Sequence, residues 1–318
     1  MPQSGPYEAS QGIYPSHGQQ KLGVGKPAPQ VDRSVLIRLN ESIFVERIYG
    51  RGVKAFGNKI VMKISAVIPA RYGSTRFEGK PLADILGKPM IQYVYEGVRQ
   101  SKLIDEVIVA TDDQRIVEAV KSFGGKAAMT SPTHFTGTDR VAEVAKKLKC
   151  QIIVNVQGDE PLIKGKVIDK AIRPLLTDDS LQMSTLMTRI EEVRDWLNPH
   201  IVKVVVDQRN FALYFSRSPI PFPRDLQIGR LETNPFGTNR PLPKRVFKHI
   251  GVYVFRREFL VHFSKMKPTP LEKLEKLEQL RALENGYRIK VNLVDYEPLS
   301  VDTPEDLQKV ITYLSMHR

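Results

Sequence analysis

Residues 62–81 read MKISAVIPARYGSTRFEGKP. The run Ile64 to Pro69 is short, rich in β-branched residues and without helical spacing, which predicts a strand buried on both faces. It opens at once into a loop holding Gly73 and Gly79, Arg71 and Arg76, and Lys80. Glycines let a backbone approach a ligand closely, arginines fork onto phosphate oxygens, and a lysine adds a point charge. A buried strand ending in a cationic loop is how an α/β sheet presents an anion site. The loop is not a Walker A sequence, because Pro81 stands where Ser or Thr would reach magnesium, and it is not G-x-G-x-x-G. A basic surface turn is the bland alternative.

Outward from this stretch the pattern alternates. Apolar β-rich runs recur at EVIVAT (106–111), IIVNV (152–156), MSTLMT (183–188), IVKVVV (201–206), HIGVYVF (249–255) and KVNLV (290–294). Between them, 89–101 places Met90, Val94 and Val98 on one helical stripe, and 138–149 places Val141, Val144, Ala145 and Leu148 on another. Strands buried on both faces and joined by helices predict an α/β fold: an open, mostly parallel sheet with helices on both faces. Ligands in such sheets bind beyond the carboxyl ends of the strands. Strands in quick succession with Pro-rich loops predict a smaller β-rich lobe at about 183–263.

Residues 1–61 differ from the rest. The first 30 are rich in Gly, Pro, Ser and Gln and read as disordered, while 35–48 (VLIRLNESIFVERI) suit a strand or a short helix. The break falls at Met62, so the expectation is an N-terminal extension, 1–61, with Met62 as the true or an alternative start, ahead of a catalytic domain over 62–318.

The 318 residues carry 48 Lys and Arg against 35 Asp and Glu, a net charge of +13, so anionic ligands are expected. The cations are scattered, which argues against dedicated nucleic-acid binding. No run of about 18 apolar residues is present to span a membrane. A lone cysteine, Cys150, excludes an intramolecular disulfide framework and a Cys-rich zinc site. With no secretory signal visible after Met1, the expected compartment is the cytoplasm.

Further motifs fall at strand ends. Val156-Gln157-Gly158-Asp159-Glu160-Pro161 follows IIVNV. Asp159 there suits Mg²⁺, which takes one or two carboxylates plus substrate phosphates; an ordinary Gly-Asp turn is the other reading. In Val301-Asp302-Thr303-Pro304-Glu305-Asp306, Thr303 suits an N-cap, Pro304 the first helical position and Asp306 the third. Asp302 is left over and suits a second metal ligand. Thr138 in His134-Phe135-Thr136-Gly137-Thr138-Asp139-Arg140 suits a cap, as does one Asp of Ala110-Thr111-Asp112-Asp113. Leucines at 271, 274, 277, 280 and 283 read as the core face of one helix.

Taken together, these segments resemble the 3-deoxy-manno-octulosonate cytidylyltransferases, the CMP-KDO synthetases. The family pattern Pro-Ala-Arg-x-x-Ser-x-Arg-x-x-Gly-Lys-Pro is met at 69–81, followed in order by Ala-Thr-Asp, Gly-Thr-Asp-Arg, Val-Gln-Gly-Asp-Glu-Pro, Tyr-Phe-Ser-Arg, His-x-Gly-x-Tyr, Leu-Glu-Gln-Leu-Arg and Val-Asp-Thr-Pro-Glu-Asp. The resemblance covers about 63–316 and implies a nucleotide-diphospho-sugar transferase-like fold. It implies the reaction of CTP with KDO to give CMP-KDO and pyrophosphate, for lipopolysaccharide biosynthesis, in a homodimer; the charge pattern and hydropathy above add the expectation of no nucleic-acid partner and no transmembrane segment. Catalytic roles fall to Arg71, Arg76 and Lys80. Nucleotide binding falls to Ala70, Arg71, Ser74, Lys80, Gly137, Thr138 and Arg140. Gln157, Arg217, His249, Glu278 and Gln279 would bind the sugar acid, with Mg²⁺ on Asp159 and Asp302. Two departures stand out: Glu78 replaces the usual Pro in the cationic loop, and 225–243 is of variable type. A nucleotidyltransferase for sialic acid or a sugar 1-phosphate is the nearest alternative.

Overall fold

The structure, a computed structural model, describes residues 62–73, 76–224 and 242–317. All of them belong to the unit Val61–Arg318. The expectations for 1–61, for Ser74 and for nearly all of 225–243 lie outside the described residues.

The described chain begins with β1 (Ile64–Ala70), the two-residue strands β2 (Asp84–Ile85) and β3 (Lys88–Pro89), α1 (Met90–Arg99), β4 (Glu106–Thr111), α2 (Gln114–Ser122), β5 (Lys126–Met129), α3 (Gly137–Lys147), β6 (Ile152–Val156) and α4 (Gly165–Thr177). It continues with β7 (Met183–Arg189), α5 (Val193–Leu197), β8 (Lys203–Val206), β9 (Ala212–Ser216), β10 (Phe247–Arg256), α6 (Arg257–Phe263), α7 (Pro270–Glu275), α8 (Leu280–Glu284), β11 (Ile289–Leu293) and α9 (Pro304–Met316).

Nine strands share one sheet, ordered β11-β7-β10-β6-β1-β4-β5, with the β8–β9 hairpin branching from β10. β1 pairs in parallel with β4 and β6, β4 with β5, and β11 with β7. β10 runs antiparallel to both β6 and β7. Along the main path, β10 is thus the strand that runs against the rest. The segment expected as a smaller lobe supplies β7 to β10: β7 and β10 enter the main sheet, and only β8 and β9 stand off its path.

Alternation along β1 explains the two-sided core. Ala66 and Ile68 join Val94, Val98, Ile116, Val120 and Ile172 of α1, α2 and α4 on one face. Val67 joins Val141 and Ala145 of α3 and Phe259 and Phe263 of α6 on the other. Period 2 in the strand and period 3.6 in the helices sort these side chains without further help.

The leucine stripe is corrected. The chain breaks at Lys276, with φ of 55°, into α7 and α8. Leu274 is 79% exposed, whereas Leu277 and Leu280 are buried. A strict three-residue spacing drifts about 60° per step round a 3.6-residue helix, so five such leucines cannot share a face.

Candidate active site

The carboxyl ends of β1 and β6 lie side by side, as Ala66 pairs with Val154 and Val67 with Asn155. They part just beyond, and a cleft of about 230 Å³ opens there. Gly158 permits the close approach: a Cβ on it would come within 2.8 Å of the Pro69 carbonyl oxygen. Ala70, Arg71, Arg76, Lys80, Gly137, Arg140, Gln157, Asp159 and Asp302, all foreseen from the sequence, line this cleft.

Its charges are cross-paired. Lys80 Nζ donates to Asp159 Oδ2 (2.9 Å), to the Val301 carbonyl (2.8 Å) and to Asp302 Oδ1 (3.4 Å). Arg76 forks onto both oxygens of Asp302, at 3.0 and 3.2 Å. The Asp159 and Asp302 loops are tied by the Val301 N–H to the Asp159 carbonyl (2.9 Å). Asp302 directly precedes α9, where Thr303 caps with Asp306 in a reciprocal capping box, as expected. Arg71 is exposed.

Two carboxylates therefore converge on a single cationic nitrogen. An all-oxygen donor pair that leaves positions for phosphate oxygens and water fits magnesium, which dehydrates reluctantly and uses one or two carboxylates. Among the described residues no group of three or more His, Cys, Asp or Glu side chains is gathered for a metal. Behind Asp159, Glu160 is buried and held by Ser300 and Tyr296. Burial first, then the neighbouring Asp159, pushes its carboxyl up to about 7, which moderates the negative charge behind the cleft.

Several supports were not read from the sequence. The Arg115 guanidinium stacks 3.3 Å over the Tyr72 ring, and the hydroxyl end of that ring lies against the Gly79 backbone, where a Cβ would sit 3.0 Å from it. Gly79 has φ of 68°, so it needs its lack of a Cβ twice over. Asp113 caps α2 and grips Arg115 at 2.7 Å. The exposed Glu78 carboxylate acts on Arg115 and is not a cleft residue. Asp112 holds Arg140 Nη2 at 2.7 Å, and Thr130 accepts from its Nη1 at 2.5 Å. His134 and the 94% exposed Phe135 also line the cleft.

The cap of α3 is Thr136, in a capping box with Asp139, and not Thr138. The Thr136…Asp139 spacing carried that signal. Thr138 is buried in the first turn, accepts from Asn155 Nδ2 (3.2 Å), and does not line the cleft.

The remaining sugar candidates lie on β10 and the α7–α8 turn. Because β10 runs backwards and Val252 pairs with Val156, His249 and Gly251 fall beyond the end of β6. Gln157 leans on both Gly251 and Gly137, 3.7 and 3.6 Å from where their Cβ atoms would be, so this face continues the cleft. Tyr253 donates to Gln279 Oε1 (3.0 Å), while Gln279 Nε2 is buried with no hydrogen-bond partner among the described residues. Thr136 Oγ1 donates to Glu278 (3.3 Å), whose carboxyl is pushed up by burial. His249 is flanked by Phe215 and Tyr253, and burial lowers its imidazole to about 3. Arg217 is not among the cleft residues: its Nε and Nη1 donate to the carbonyls of Glu275 (2.8 Å) and Pro199 (3.0 Å), two of its five N–H groups.

A family model described as Cytidylyltransferase matches residues 65–289. The chain is 59% identical over 253 residues to a 3-deoxy-manno-octulosonate cytidylyltransferase of Geotalea uraniireducens, covering 80% of this chain and 99% of the relative. It is 60% identical to the protein of the same name from Geotalea daltonii, with 80% and 98% covered. Among solved structures, a CMP:2-keto-3-deoxy-manno-octonic acid synthetase complexed with CTP aligns at a TM-score of 0.73 and 42% identity, over 80% of this chain and all of that one. A 4-diphosphocytidyl-2C-methyl-D-erythritol synthase of Anaerococcus prevotii shares the fold, at 15% identity and a TM-score of 0.51 over 80% of this chain and 99% of that one.

Proposed function

The chain belongs to the cytidylyltransferase family, among the 3-deoxy-manno-octulosonate cytidylyltransferases, and from that premise we propose that it joins CTP to KDO, giving CMP-KDO and pyrophosphate. The observation that carries the reading is the cross-paired cluster of Arg76, Lys80, Asp159 and Asp302, set beside the polar face of β10.

The chemistry brings an anionic sugar acid to a polyanion, so charge must be neutralised before the reactants meet. The anomeric hydroxyl of KDO attacks the α-phosphorus in line. The new P–O bond forms as the α–β phosphoanhydride bond breaks, the hydroxyl proton passes to solvent, and pyrophosphate departs. Asp159 and Asp302 would hold Mg²⁺, which when bound would supply Lewis-acid charge for the phosphates. Arg76, paired with Asp302 at 62% and 43% side-chain exposure, is held by ~1 kcal/mol or less and turns readily onto a phosphate. Lys80 lies deeper, at 15% exposure, and brings its charge to the triphosphate with Arg71. Ser74 is assigned to nucleotide binding from its place in the motif alone. Gly137 and Arg140 bound the nucleotide side, while Thr138, buried behind the cleft, accepts from Asn155 instead. Gln157, His249, Glu278 and Gln279 meet the sugar hydroxyls, and Arg217 turns its remaining N–H groups to the carboxylate.

No described helix is long and apolar enough to cross a membrane. A single buried thiol, Cys150, supports a reducing cytoplasm. Among the described residues β9 pairs only with β8, and that free edge is where a second copy of the chain would add in the homodimer. The product would feed lipopolysaccharide biosynthesis.

The test is pyrophosphate release with CTP, UTP, ATP or GTP against KDO or sialic acid. Release is expected only with CTP, Mg²⁺ and KDO together. Equal turnover of sialic acid, or preference for a sugar 1-phosphate, would leave nucleotidyl transfer standing and remove KDO.

A further inference from the structure

Thr185 on β7 belongs to none of the motifs above, yet its buried hydroxyl meets three polar atoms. Oγ1 lies 2.8 Å from His249 Nε2, 2.8 Å from the Val252 carbonyl oxygen and 3.2 Å from the Ile250 carbonyl oxygen. The two carbonyls sit where β10 slips register against β7, between Ile250 and Val254.

A hydroxyl has one proton and two lone pairs, and a carbonyl oxygen only accepts. If the proton went to His249, both carbonyls would face bare lone pairs in a site closed to water, a costly arrangement. The proton therefore goes to Val252, and His249 Nε2 must donate to Thr185. A neutral imidazole has one N–H, so Nδ1 is left as a lone pair, and it makes no hydrogen bond to the described residues. Burial keeps the ring neutral well below neutral pH.

We propose that Thr185 is a positioning residue that locks His249 in the Nε2–H tautomer, so that Nδ1 accepts a hydrogen bond from a hydroxyl of the sugar acid. This rests on the KDO reading above. Gln279 supplies the opposite polarity nearby, with Nε2 free to donate and Oε1 taken by Tyr253. The pocket then asks for a hydroxyl hydrogen at one point and an oxygen lone pair at the other, and a polyhydroxy acid meets both demands.

Two measurements test this. In ¹⁵N-labelled full chain without substrate, the His249 ring should show a protonated Nε2 and a bare Nδ1, unchanged from about pH 5 to 8. Thr185→Val keeps the shape and loses the hydroxyl. It should raise the KDO KM about tenfold, the scale of one lost hydrogen bond, with CTP KM and kcat moved less than about twofold. Thr185→Ser should bring the KDO KM back. An Nδ1–H ring in the unaltered chain overturns the proposal, even where Thr185→Val does not fold. So does an unchanged KDO KM in Thr185→Val, or a CTP KM that rises as far as that for KDO. Failure of the KDO reading is separate: it appears as an unaltered protein with no KDO-dependent pyrophosphate release.

Discussion

Lys80 occupies the point where two carboxylates meet, so the side chains of the cleft balance much of their own charge. Asp159→Asn and Asp302→Asn keep side-chain size and remove the charge proposed to hold Mg²⁺. Each is expected to lower kcat by about 10²-fold or more, the order lost with a transition-state electrostatic contact. Circular dichroism melts should show the fold retained. A near-normal rate for Asp302→Asn would reduce it to a residue that merely precedes α9. These side chains were legible in the sequence because each stands inside a short motif at a strand exit. Their supports were not. Asp112 acts on Arg140, Arg115 on Tyr72 and Thr185 on His249 across separate elements, and no local spacing records such a contact. Glu78, the departure from the family pattern, likewise faces the field of Arg115 rather than the cleft.

Among the elements, β10 shows most clearly how burial becomes a pH response. The His249 imidazole is held at about 3 by loss of water around the ring, whereas in the unfolded chain it titrates near 6.5. Between those values the unfolded chain carries a proton that the folded chain lacks. Stability from this group is complete above about 6.5 and falls as pH drops through the window, by about 1.4 kcal/mol per pH unit. His249→Asn should therefore lose about 2 kcal/mol less unfolding free energy than the unaltered chain between pH 7 and pH 5, read by urea denaturation. Equal losses would mean that the ring protonates without unfolding. The long strands were legible because buried β-branched runs have few other uses. The half-buried β5 was not, because KAAM has neither an apolar run nor a clear alternation.

For the whole molecule, the expectation is that a chain beginning at Met62 folds and turns over CTP. Met62 already packs against the main core, and the Lys63 N–H is anchored to Gln151 Oε1 at 2.7 Å. Its melting midpoint should lie within about 3 °C of the full chain, corresponding to less than ~1 kcal/mol. A larger fall would give residues 1–61 a part in the fold. The direction of the sheet was legible from the alternation of strands and helices. The reversal of β10 was not, because strand composition says nothing of which way a strand enters a sheet. That reversal has a consequence for how the protein is made. The parallel half, β5-β4-β1-β6, is complete by Val156, but the partner that covers the open edge of β6 is Val252 to Arg256. A nascent chain on the ribosome therefore carries a bare, apolar sheet edge from the making of Val156 until Val252 to Arg256 follow. The interval between those two segments is when this protein is most exposed to sticking to its neighbours and most in need of a chaperone.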